Sequence, residues 1–280
     1  MNPSRLSSRG FTLLELLVAT AVMALFLVLA SQVVSSSLSQ WGFANDKMSA
    51  NLQARLAFDW LGRDLQSVCL AGDGSEWLRI EPSDPADTTD SHGHAMKGSW
   101  LMCYAQPAQP HTDPASTTSP KISGPVAVSY SLGYLDPMVN NGSRKQFALL
   151  RTSVNPRDTF ENMGVGNLRT DFWDSGVLGF TTIRPEDILA DNVVGFRVVA
   201  EFLPAGASTP LLSNPAQEFA YGPDGVITAN GSTYPGAALT AFEITLWLLD
   251  TKSAARMNAG GANLADSAAS FTKRIPILAR

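Results

Sequence analysis

Residues 9–30 read RGFTLLELLVATAVMALFLVLA, and the fold is organised around this stretch. From Phe11 to Ala30 it is almost wholly apolar, with Thr12 and Thr20 as mild interruptions and Glu15 as its one charge. Twenty helical residues at 1.5 Å each span about 30 Å, the thickness of a bilayer's hydrocarbon core. Arg5 and Arg9 precede the run and no charge follows it until Asp46. That asymmetry predicts a cytoplasmic N-terminus and export of the rest. Glu15 needs its own explanation, because a carboxylate at membrane depth costs several kcal/mol, order of magnitude, unless it finds a partner. A new α-amine on Phe11, one helical turn away, would supply a cation at the same depth. A secretory peptide would have a shorter apolar region and a small-x-small cleavage site; Ala19-x-Ala21 fits that pattern only in mid-run. An ordinary signal anchor accounts for the apolar run but not for Glu15.

The octet Arg9-Gly10-Phe11-Thr12-Leu13-Leu14-Glu15-Leu16 resembles the class III signal of type IV prepilins and type II secretion pseudopilins. The resemblance implies that a membrane peptidase cuts after Gly10, that Phe11 becomes a methylated N-terminus, and that Glu15 pairs with a neighbour's N-terminus during assembly. A glycine at the cut gives backbone access to a protease working beside a membrane helix. Loss of residues 1–10 would remove Arg5 and Arg9 and shift the net charge from −5 to −7.

Helical signals continue past the apolar run. Val34, Leu38 and Trp41, then Met48, Leu52 and Leu56, then Leu61, Leu65 and Cys69 recur at helical spacing, and most charges avoid this stripe. No proline occurs between Pro3 and Pro82. One helix from about Phe11 to about Ser67 is expected, with a soft point at Gly42, its apolar stripe packing on a following domain. The expected division is a leader at 1–10, a transmembrane helix at 11–30, its periplasmic continuation at 31–67 and a β-rich soluble domain at 68–280.

In that domain Gly72-Asp73-Gly74 is expected to end the helix. Polar, proline-rich segments near 81–97 and 106–120 read as exposed loops. Strand patterns occur at Trp77–Ile80, Trp100–Ala105, Val126–Leu135, Gln146–Ser153, Val193–Leu203, Val226–Ala229, Ser232–Tyr234, Phe242–Leu249 and Phe271–Leu278. Asn140-Asn141-Gly142 and Asn230-Gly231 carry hairpin chemistry. Ile188–Asn192 reads as a turn, Ser253–Met257 as a short helical turn, and Pro276 places the last strand near an edge. Strands without intervening long helices predict antiparallel pairing. The fold class is therefore α+β: a long N-terminal helix, transmembrane in its first half, packed on a mainly antiparallel sheet as in pilins. Leu56–Leu65, with its Arg63-Asp64-Leu65 step, together with Asp191–Phe196 and Phe242–Asp250, resembles the J-type minor pseudopilins and the PilW-like prepilins.

Hydrophobic residues make up 45% and charged residues 16%, which places the bulk of the chain among globular proteins. No basic block occurs, so a nucleic-acid partner is not expected. Cys69 and Cys103 fit one disulfide in an exported domain, or two buried thiols. His92, His94 and His111 lie in the polar segments and read as solvated. Asp84, Asp87 and Asp90 lack the glycine pattern of a calcium loop. No nucleophile elbow, dinucleotide fingerprint or P-loop is present, so no catalytic residue, metal site or cofactor is assigned and no enzyme activity is expected. The expected role is a structural subunit of a pilus-like or secretion filament, a minor or tip subunit by the bulk of its domain. Its expected partners are a prepilin peptidase, other pilins or pseudopilins and the inner membrane. The alternative is an anchored periplasmic module that binds a secreted substrate, a surface or DNA.

Overall fold

The structure, a computed structural model, describes residues 12–68, 76–83, 89–106, 124–136, 145–163, 167–174, 187–222, 225–261 and 265–277. The chain divides into two compact units, Met1–Ser49 and Ala50–Arg280.

In the first unit the described residues form a single helix. It belongs to α1, Leu13–Gln66, which continues without interruption through Gly42. One glycine in a helix interior costs about 1 kcal/mol, too little by itself to break a helix of this length. Its apolar side chains from Leu13 to Met48 are exposed. This corrects part of the stripe's expected role. Leu52 and Leu56, in the second unit, do not pack on its core.

The second unit begins with the last turns of α1, where Ala54, Ala57, Phe58, Leu61 and Leu65 are buried at i, i+3, i+4 spacing. Small alanines let the helix approach the sheet, and Phe58, Leu61 and Leu65 fill the space between. Fully burying each of these three is worth roughly 1.5–3 kcal/mol. They meet a sheet built from β1 (Leu78–Pro82), β2 (Lys97–Ala105), β3 (Val126–Leu135) and β4 (Gln146–Ser153). The sheet continues as β5 (Ile188–Asp191) beyond β4, and as β8 (Phe219–Tyr221), β9 (Ile227–Ala229) and β10 (Ser232–Tyr234) beyond β1. A second group consists of β6 (Val193–Leu203), the short β7 (Leu211–Leu212), β11 (Ala238–Leu248) and β12 (Ala269–Pro276).

The two groups join at β2. Its residues Leu101–Ala105 pair antiparallel with β3, while Lys97 and Gly98 pair parallel with Gly195 and Phe196 of β6. Every other described pairing between strands is antiparallel. The α+β arrangement expected from the sequence is therefore present. At the fork Val198 donates its backbone N–H to the buried Ser99 hydroxyl at 3.1 Å, so a polar residue in a buried strand satisfies a backbone group there.

β2 is buried on both faces. Leu101, Cys103 and Ala105 enter the core shared with α1, whereas Trp100, Met102 and Tyr104 face a second core with Trp77, Ala127, Val154, Leu168 and Phe172. Val154, Leu168 and Phe172 belong to this second core, and Met163 packs against it. Between Val154 and Met163 lies α2 (Pro156–Asn162), which the strand pattern did not predict. Its start signal was nonetheless in the sequence: Asn155 accepts the Asp158 N–H at 2.9 Å and Pro156 occupies the first turn.

Ile188–Asn192 is corrected from a turn to β5. It pairs with β4, and Asn192 alone makes the break before β6 by adopting φ 57°. The segment near 81–97 is also not a plain exposed loop. Glu81 and Pro82 belong to β1, Asp90 and Met96 are buried, and Thr89 bridges Ala95. Asn230 and Gly231 make the expected β9–β10 hairpin, both at positive φ (54° and 72°), the geometry of a type I′ turn. The Asn230 side chain accepts the Asn214 N–H and donates to the Leu212 carbonyl, which ties the hairpin to the β7 loop. The expected helical turn is α3 (Thr251–Asn258), capped by Asp250. The Asn140–Gly142 turn, the Gly72–Gly74 stop and the segment near 106–120, apart from Gln106, lie outside the described residues.

Candidate functional site

Of the residues expected to carry function, Glu15 sits at the start of α1. Gly10 and Phe11 lie outside the described residues. Glu15 is in the first turn, where its carboxylate accepts the Thr12 backbone N–H at 3.2 Å and the Thr12 hydroxyl at 3.3 Å. The Thr12 hydroxyl oxygen in turn accepts the Glu15 N–H at 3.2 Å. This reciprocal arrangement is a capping box, Thr-x-x-Glu, and the motif was readable in the sequence as such. It gives Glu15 a local role besides the one expected in assembly: it satisfies a backbone donor at the helix start and places negative charge at the positive end of the helix dipole. The helix that follows is long and apolar enough to cross a membrane.

At the other end of α1, Asp64 joins the helix to the sheet. Tyr130 on β3 donates its hydroxyl to Asp64 Oδ2 at 2.5 Å, and Arg151 on β4 donates from Nε to the same oxygen at 2.8 Å and from Nη2 to Oδ1 at 3.3 Å. Trp60 on α1 stacks over the Arg151 guanidinium at 4.8 Å. Burial pushes the Tyr130 hydroxyl well above its ordinary range, and the Asp64 charge adds to the shift against the opposing Arg151. Tyr130 therefore stays a donor across physiological pH. Burial would lower the Arg151 pKa, but its hydrogen bond and charge pairing with Asp64 raise it. The Arg63-Asp64-Leu65 step thus divides its work: Leu65 packs, Asp64 anchors, and Arg63 stays exposed beside Trp60.

Two further polar clusters hold the domain together. Arg79 pairs with Glu76 at 2.9 Å, with Glu218 at 2.9 Å and with Glu81, and Arg169 reaches Glu81 at 2.8 Å. Burial raises the Glu76 pKa despite Arg79 and the Leu168 N–H. In the second cluster Asp90 accepts backbone N–H bonds from His92 and His94 at 2.9 and 2.8 Å, and its other oxygen meets His94 Nδ1 at 2.8 Å. Burial acts upward on Asp90, but these hydrogen bonds outweigh it and hold the carboxyl below its ordinary value. His92 Nε2 lies 3.2 Å from the Asn258 carbonyl at the end of α3. His92 is exposed, as expected, although its ring reaches the end of α3; the expectation of a solvated side chain is corrected for His94, which is partly buried against Asp90. His111 lies outside the described residues. Among the described residues no group of three or more His, Cys, Asp or Glu side chains could hold a metal ion. Cys103 is buried in β2, and Cys69 lies outside the described residues.

An apolar helix long enough to span a bilayer, near the N-terminus and opened by a threonine–glutamate box, fits a single-pass membrane anchor. Residues 5–31 match the prokaryotic N-terminal methylation motif. That match supports a prepilin- or pseudopilin-type protein. No curated protein and no solved structure matches it.

Proposed function

We propose that the chain is made as a prepilin and cut between Gly10 and Phe11 by a prepilin peptidase, which leaves Phe11 as a methylated N-terminus. Residues 11–30 then hold it in the bacterial inner membrane with the N-terminus cytoplasmic. Residues 31–67 continue the helix into the periplasm, and 68–280 form the soluble domain there. Glu15 is the assembly carboxylate, and the subunit enters a pilus-like or type II secretion filament in a minor or tip position. One observation carries the reading: the methylation motif coincides with an apolar run, Phe11–Ala30, whose one charged residue is Glu15. The size of the β-rich domain favours a minor or tip position, since bulk is hard to repeat in a tight filament. Cys69 and Cys103 are proposed to form a disulfide after export. Loop closure of this size contributes about 3–4 kcal/mol in the chain-entropy account.

Co-expression with a prepilin peptidase tests the processing step. The expected product begins at Phe11 and carries one added methyl group. Glu15→Val should be cut equally well and recovered poorly in filaments; normal incorporation would remove Glu15 from assembly. Intact mass without reductant should be two hydrogens lighter than the reduced chain if Cys69 and Cys103 are joined.

A further inference from the structure

The β9–β10 hairpin turns on Asn230 and Gly231, and this dipeptide carries chemistry of its own. The side-chain amide of an asparagine can be attacked by the backbone nitrogen of the next residue. Glycine hinders that attack least, because it has no Cβ. Asn230 and Gly231 are both exposed, and nothing lies within 4 Å of where a Cβ on Gly231 would stand. Crowding therefore does not limit the reaction here; the placement of the Asn230 side chain does.

That side chain is held through both of its polar atoms. Its Oδ1 accepts the Asn214 N–H at 2.7 Å, and its Nδ2 donates to the Leu212 carbonyl at 3.1 Å. Ser213, between these two partners, is buried and fixes them to β6. Its N–H donates to the Ala200 carbonyl at 2.8 Å, and its hydroxyl accepts the Ala200 N–H at 2.8 Å. On the other side the Asn214 side chain accepts the Ala216 N–H at 3.0 Å, and the Asn214 carbonyl accepts the Gln217 N–H at 3.0 Å. Turning the Asn230 Cγ toward the Gly231 nitrogen would break the bonds to both Asn214 and Leu212.

We propose that Asn230 is a self-modification site that the β7 loop holds shut. When loop and hairpin part, the Gly231 nitrogen loses its proton to hydroxide and bonds to Asn230 Cγ. The Cγ–Nδ2 bond breaks, Nδ2 takes up a proton and leaves as ammonia, and a succinimide ring remains. Water opens that ring at either carbonyl and gives aspartate or isoaspartate. Neither product restores the tie. Aspartate has no N–H for the Leu212 carbonyl and sets a negative charge against it. Isoaspartate also lengthens the main chain within the turn, so the type I′ geometry that pairs Ser232 with Ala229 is lost. The step is one-way, and it loosens β10, which among the described strands pairs with β9 alone.

The inference stands apart from the processing and assembly readings. Its test holds the full chain in detergent at mildly alkaline pH, and the same chain unfolded in urea. Mass spectrometry of the digested chain scores the exchange of an amide NH2 for an OH at each asparagine, and isoaspartate is assayed separately. In urea Asn230 should react like Asn141, the other asparagine followed by glycine, and Gly231→Ala should slow Asn230 alone. In the folded chain Asn230 should react roughly tenfold more slowly than in urea, the effect of two ordinary hydrogen bonds. Asn214→Ala removes the side chain that braces the loop. It should bring the folded rate toward the unfolded one while the urea unfolding midpoint stays in place. Equal rates in the folded and unfolded chains would overturn the proposal. So would an Asn214→Ala rate that stays at the folded value, or a sugar on Nδ2, for which Asn230-Gly231-Ser232 is an acceptor triplet, in place of aspartate and isoaspartate.

Discussion

Asp64 concentrates the energetics of the domain in one carboxylate. It receives a tyrosine hydroxyl and a guanidinium from two different strands, and all three groups are largely buried. Asp64→Ala leaves Arg151 buried without its counter-charge and should cost about 3–5 kcal/mol in denaturant unfolding. Tyr130→Phe removes one donor while Arg151 still serves the carboxylate, and should cost less, about 1–3 kcal/mol. Equal losses in the two variants would show that the helix is not anchored through Asp64. Titration separates the other two clusters by sign. The Asp90 carboxyl is lowered in the fold, so its contribution is present above the ordinary carboxylate value and is lost as pH falls through the lowered one. Glu76 is raised, so its ionised form is disfavoured and stability falls as pH rises from the ordinary 4.5 through the raised value. In unfolding measured against pH, Asp90→Asn should remove part of the acid loss. Glu76→Gln should flatten the decline just above pH 4.5, and a steeper decline would contradict the assignment.

Among the elements, the buried end of α1 packs Ala54, Ala57, Phe58, Leu61 and Leu65 into the main core. Leu61 is fully buried between helix and sheet, and Leu61→Ala should cost about 2–5 kcal/mol, whereas Leu38→Ala, exposed on the same helix, should leave the unfolding of the domain unchanged. What could be read from the sequence follows the same physics. Val126–Leu135, Gln146–Ser153, Val193–Leu203 and Ser232–Tyr234 were legible to the residue because β-branched and aromatic runs between turn residues have few alternatives. β5 was not, because Ile188–Asp191 is short and adjoins β6 through a single left-handed asparagine. Neither was α2, whose burial rests on Pro156 and Thr159 rather than on an apolar stripe. The stripe on α1 was legible as a pattern, but spacing alone does not say what covers it. The same period serves the core at Leu61 and remains exposed at Trp41. Glu15 stood out as an anomaly in the sequence; its capping bond with Thr12 was carried there too, by the Thr-x-x-Glu spacing, but was recognised only in the hydrogen-bond geometry.

At the scale of the whole molecule, the two units differ in what they do with apolar side chains. Residues 50–280 contain the complete described core, both faces of β2 and the Asp64 anchor. A fragment starting at Ala50 should therefore unfold in one cooperative transition as a soluble species; aggregation from the outset would show that the core needs the preceding helix. The first unit buries none of its large apolar side chains among its described residues, and is suited to lipid and to other helices. Cleavage joins these parts into one account, because it would turn Phe11 into the charged terminus that Glu15 is proposed to meet. The most direct measurement is the intact mass and N-terminal sequence of the full chain after co-expression with a prepilin peptidase. The account predicts a chain that begins Phe11-Thr12-Leu13 and carries one methyl group on Phe11. A chain that retains Met1–Gly10, or is cut at any other bond, would contradict it.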